Sequence, residues 1–73
     1  MFVNTHQLRE KLGLTQRQFA ARYGITLGTL KRWEGKRSLP SGAAVTLLRL
    51  IEAHPQTIAN LVADLRTKTT ETE

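Results

Sequence analysis

The sequence predicts an all-α fold of five helices, and three observations carry that prediction. Apolar residues recur at three- and four-residue spacings, as in Leu8 and Leu12, Leu30 and Trp33, or Leu47, Leu48 and Ile51, which is the period of a helix face. Residues that start or stop helices fall between these stretches, at Gly13, Thr15, Gly24, Thr26, Pro40 and Pro55. Strand-like alternation is sustained nowhere; Phe2-Val3 comes nearest and is too short for a strand.

Each element follows from its own residues. The first helix spans residues 5–12, with Leu8 and Leu12 on one face and Gly13 placed to adopt the left-handed conformation that closes a helix. The second begins at Thr15, whose hydroxyl caps it, and Gln18 three residues on completes a capping box; it runs to Tyr23. Gly24 ends it, Thr26 caps a third helix over residues 27–34, and Leu30 and Trp33 turn inward. A turn this short around a glycine forbids antiparallel packing, so the second and third helices should cross steeply as a helix-turn-helix.

Residues 35–40 form a loop carrying Lys36 and Arg37, closed by Pro40. Ser41 is expected to cap a fourth helix over residues 42–53, with Ala44, Leu47, Leu48 and Ile51 on its buried stripe and Arg49 and Glu52 toward water. His54 is expected as the N-cap of a fifth helix that opens on Pro55 and ends near Arg66, with Ile58, Leu61, Val62 and Leu65 along one face. That face serves the core, a symmetric dimer contact or a protein partner, and the core use is expected to dominate. Residues 67–73 hold no apolar side chain to offset ordering entropy and are expected to be a disordered tail beyond a single domain of residues 1–66.

Composition narrows the function classes. A chain of 73 residues has room for one small core, and 40% hydrophobic with 23% charged residues is ordinary for a folded chain. The absence of cysteine excludes disulfides, thiolate metal sites and cysteine nucleophiles, and it suits a reducing cytoplasm. No run approaches the length of a membrane span, and the first residues lack a secretion signal. Two distant histidines and no catalytic motif argue against an enzyme, a metal site or any cofactor. The net charge of +5 is uneven: residues 1–40 hold eight basic and two acidic side chains, residues 41–73 three and four. A polyanion is drawn to the first half, because each phosphate neutralised by Lys or Arg releases condensed counterions.

Leu14-Thr15-Gln16, Phe19-Ala20, Gly24-Ile25-Thr26 and Leu30-Lys31-Arg32-Trp33-Glu34 resemble the Cro/XRE family, whose fold is the five-helix lambda-repressor-like domain. Pro40-Ser41-Gly42, Leu47 to Ile51 and His54-Pro55 look like its short autoregulatory branch, which includes antitoxins of the HigA and MqsA type. The resemblance implies a sequence-specific regulator of transcription, an autorepressor that binds a near-palindromic double-stranded DNA operator as a homodimer through the major groove. It implies Leu27, Gly28, Lys31 and Arg32 as base-reading positions. Arg32 either grips guanine O6 and N7 or clamps a phosphate; Leu27 meets a thymine methyl and Gly28 admits the backbone, or both reflect relaxed specificity.

Gln16, Thr26, Thr29, Lys36 and Arg37 are the implied phosphate contacts, with Thr26 also the cap, while Arg9 and Arg22 read as rim charges. The family's usual Trp-Glu-x-Gly order is here Trp33-Glu34-Gly35-Lys36, so the glycine stands one place early. The rival expectation is an antitoxin-like module whose fifth helix holds a toxin or another protein, with DNA binding secondary.

Overall fold

The structure, a computed structural model, describes the backbone of residues 4–72 and the side chains of residues 4–67, so Phe2-Val3 lies outside the described residues. Five helices follow one another: α1 (Thr5–Lys11), α2 (Gln16–Tyr23), α3 (Leu27–Glu34), α4 (Ala43–Ala53) and α5 (Pro55–Thr72). No strand occurs among the described residues.

The first three helices begin on side-chain caps. Asn4 Oδ1 accepts from Gln7 N–H at 3.0 Å and opens α1, a cap the sequence reading did not assign. Thr15 Oγ1 accepts from Gln18 N–H at 3.1 Å while Gln18 Oε1 accepts from Thr15 N–H at 2.9 Å, the expected capping box. Thr26 Oγ1 accepts from Thr29 N–H at 3.2 Å and opens α3.

They also end alike. Leu14 N–H reaches back to Arg9 O (3.3 Å), Ile25 N–H to Ala20 O (3.0 Å) and Arg37 N–H to Arg32 O (2.9 Å), the six-to-one bond of a Schellman turn. The residue before each donor is left-handed: Gly13 and Gly24, both at φ 71°, and Lys36 at φ 61°. Moving the glycine to position 35 therefore does not move the turn; Gly35 takes an ordinary φ of −81°, and a lysine fills the left-handed place. For a residue with a Cβ that conformation costs about 1 kcal/mol relative to glycine.

Two expectations at the chain's second half are corrected. Gly42 (φ 57°), not Ser41, is the N-cap of α4, and it brings no side-chain hydrogen bond; Ser41 instead accepts from Ala44 N–H through its carbonyl (3.1 Å). The glycine's turn carries the chain into the helix, leaving the serine one residue outside the capping position. α5, expected to end near Arg66, continues to Thr72, because each residue added to a formed helix gains a backbone bond without renewed nucleation. His54 closes α4, and its carbonyl accepts from Ile58 N–H at 3.0 Å at the start of α5.

Leu8, Phe19, Ala20, Tyr23, Leu30, Leu48 and Ile51 form the core, with Phe19, Leu30, Leu48 and Ile51 wholly enclosed. The Phe19 and Tyr23 rings lie 4.9 Å apart at a tilted angle, and Tyr23 Oη donates to Pro55 O at 3.1 Å, tying α2 to the first residue of α5. Burial raises the Tyr23 pKa above its ordinary 10.0 against a smaller opposing effect of Arg22. α2 packs on α3 and α5, α4 on α5, and α1 on α3. The stripe of α5 divides: Ile58 and Ala59 pack against the core, Val62 sits beside Gly24, and Leu61 and Leu65 face outward, 52% and 63% exposed.

Candidate nucleic-acid interface

α3 is a two-faced helix. Leu30 is fully buried and Trp33 packs half-buried against the core, while Gly28, Lys31 and Arg32 are exposed on the other side and Leu27 is half-exposed. Gly28, Lys31, Arg32, Gly35 and Arg37 line one open concavity of about 520 Å³, so four of the predicted site residues share a basic surface. A Cβ added at Gly28 meets nothing within 4 Å, so no packing among the described residues requires a glycine there.

Thr26, Thr29 and Arg32 are linked along the helix. Thr26 Oγ1 donates to Thr29 Oγ1 at 2.8 Å, and Arg32 Nη2 donates to the same Thr29 oxygen at 3.3 Å. The capping role expected of Thr26 is present, and Thr29 steadies the guanidinium at the helix surface. Lys36 separates from Arg37: it lines a second concavity of about 250 Å³ together with His6, Trp33, Glu34 and Pro40.

Gln16, the first residue of α2, is held by a group that sequence reasoning missed. Its Nε2 donates to Glu34 Oε1 at 3.2 Å. The Glu34 carboxylate, 8% exposed, also receives the Arg9 guanidinium in two bonds, Nε to Oε2 at 2.7 Å and Nη2 to Oε1 at 2.9 Å. Arg9 Nη1 donates further to Leu14 O at 3.0 Å. Arg9 is thus no rim charge: it joins α1, the turn before α2 and the end of α3.

His6 completes the group. Its Nδ1 lies 3.2 Å from Glu34 Oε1 and 3.0 Å from Arg9 Nη2, and its Nε2 lies 3.2 Å from Glu10 Oε2. With Nδ1 bare it accepts from Arg9; with both nitrogens protonated it donates to the two carboxylates. Burial acts to raise the Glu34 pKa, but hydrogen bonds from Arg9, His6 and Gln16 and the Arg9 charge together outweigh it and hold the carboxyl below its ordinary 4.5. Arg9 is held above its ordinary pKa, foremost by its hydrogen bond to Glu34. The partners stand 18 to 28 residues apart in the chain, so no local pattern announces them.

Among the described residues no group of three or more His, Asp or Glu is placed to hold a metal ion, and no helix is long and apolar enough to cross a membrane.

The chain matches, over residues 2–63, the family model of the antitoxin component of a bacterial toxin-antitoxin system, MqsA. It is 39% identical over 54 residues to the antitoxin HigA-2 of Vibrio cholerae, covering 74% of this chain and 52% of that one. It is 43% identical over 49 residues to YiaG, an HTH-type transcriptional regulator of Escherichia coli K12, covering 67% and 51%. The chain therefore spans about half the length of the curated relatives it matches. A crystal structure of an HTH XRE-family like protein from Agrobacterium tumefaciens superposes with a TM-score of 0.77 at 39% identity, covering 82% of this chain and 98% of that one. The sequence motifs, the five-helix fold and these likenesses agree: the chain belongs to the MqsA antitoxin family, on the antitoxin-like branch of the Cro/XRE helix-turn-helix regulators.

Proposed function

We propose that this chain is a non-catalytic, cytoplasmic regulator that binds double-stranded DNA with α3 in the major groove and represses transcription from its own promoter. The observation that carries the reading is the division of α3, with Leu30 and Trp33 anchored in the core and Lys31, Arg32 and Arg37 gathered on one open basic surface. Lys31 and Arg32 with Leu27 and Gly28 read bases; Gln16, Thr26, Thr29, Lys36 and Arg37 meet phosphates. Two copies bind a near-palindromic operator, their reading helices about 34 Å apart on one face of the duplex.

The test is binding to the duplex upstream of its own gene, compared across operator variants and salt concentrations. Arg32→Ala is expected to flatten discrimination among variants. Arg37→Ala is expected to weaken all duplexes alike and make the salt slope shallower by about 1. A chain that binds all duplexes equally before any substitution would remove the base-reading assignment.

A second role is favoured by the outward Leu61 and Leu65 of α5 and by the antitoxin names among the relatives: a protein partner held on α5. Co-elution with the product of an adjacent gene, lost on Leu61→Asp, supports it; elution unchanged by every neighbouring product counts against it.

A further inference from the structure

We infer that Glu34, the last residue of the reading helix, is a positioning residue for DNA binding: its Oε1 holds the Gln16 amide so that the second N–H of that amide faces a backbone phosphate. The inference rests on the DNA-binding reading above and assigns a task to a residue that reading leaves out.

A glutamine side chain free in solvent gives up its rotamer freedom when it meets a phosphate, whereas one already bonded does not. Gln16 is the first residue of α2 and Glu34 the last of α3, so their 3.2 Å bond sets the distance between a phosphate contact and the base-reading face. A bare carboxylate beside DNA would repel it. Here the Arg9 guanidinium meets both oxygens, which neutralises the charge and aims Oε1 at Gln16. His6 lies on the same oxygen. The carboxylate is therefore fixed by α1, and through it α1 fixes a side chain of α2 against the end of α3.

The experiment has two parts on the full chain. In the free protein, NMR follows the Gln16 side-chain amide while Glu34 is titrated; the amide shifts are expected to move with the carboxyl, and shifts that stay flat through the Glu34 titration overturn the proposal. On the upstream duplex, Glu34→Asp keeps the charge for Arg9 but withdraws the oxygen from Gln16. It is expected to weaken binding about fivefold in the native background and not at all in Gln16→Ala, a coupling of the size found between contacting side chains. Equal losses in both backgrounds, with thermal melts confirming folded protein, mean that Glu34 supports the fold alone and overturn the proposal. If Glu34→Asp does not fold, the titration decides. An amide that follows Glu34 in a native chain that binds no duplex locates the failure in the DNA-binding reading, which takes the positioning role down with it.

Discussion

α1, α2 and α3 are seven, eight and eight residues long, too short to hold as isolated helices, and each is closed at both ends, by a side-chain cap and by a Schellman turn. α4 and α5 are eleven and eighteen residues long; α4 has no side-chain cap, and both pack through apolar side chains. The basic charge and the Glu34 group belong to the first region, the exposed Leu50, Leu61 and Leu65 to the second. Polar contacts have preferred directions and apolar burial does not. The region proposed to present side chains to DNA is thus closed by directional bonds at its helix ends while also supplying five of the seven buried core side chains, and α4 and α5 are held chiefly by apolar packing.

The comparison would break most visibly if the two regions melted separately. Leu30 and Leu48 meet in one core, so Leu30→Ala in the first region and Leu48→Ala in the second should each cost about 2–5 kcal/mol and lower a single thermal transition read by circular dichroism. Two transitions in either variant would show that the halves fold independently.

Next in size is the ion pair. Arg9→Met leaves the buried Glu34 carboxylate without its guanidinium, with only Gln16 and His6 beside it, and should cost about 3 kcal/mol at neutral pH. Because the folded pKa of Glu34 is lowered, its contribution is fully present above the ordinary value of 4.5 and lost as pH falls through the folded value. The native chain should therefore lose this part of its stability as pH falls below 4.5, read by chemical denaturation at a series of pH values. In Arg9→Met that loss on acidification should shrink, since the foremost interaction that lowers the Glu34 pKa is gone while burial still favours the protonated form.

Smaller effects sharpen the contrast in capping. Thr15→Ala should cost about 1 kcal/mol in chemical denaturation. Ser41→Ala should cost almost nothing, because that hydroxyl caps no helix. Lys36→Gly should work the other way, gaining about 1 kcal/mol by relieving the left-handed lysine while making the salt slope of DNA binding shallower by about 1. A destabilised Lys36→Gly would mean that the lysine side chain's own contacts outweigh its backbone strain.

What the sequence made legible were features written within a few residues of one another. The Thr15–Gln18 box, the Thr26 cap and the left-handed Gly13 and Gly24 are local patterns, and the structure contains each of them. The inward Leu30 and Trp33 and the stripe of α4 follow from period alone. Position 36 was misleading because the glycine that marks such turns lies one place earlier, and residue type is a guide to φ only when backbone and side chain agree. The Glu34 group was invisible because its members come from three helices. The division of the α5 stripe depends on how far α5 turns its face from α2 and α4, which no spacing within α5 encodes.

Gly28 bears on how this interface can change over time. The space around its Cα is open, and alanine is about 1 kcal/mol better than glycine inside a helix, so nothing in folding selects for the smaller residue. Exposed Lys31 and Arg32 are equally free of packing duties. The fold thus leaves three positions of α3 free for selection by the DNA sequence that the proposed function assigns to them. A library randomised at Gly28, Lys31 and Arg32 should yield mostly folded proteins, and among them regulators retargeted to other operators.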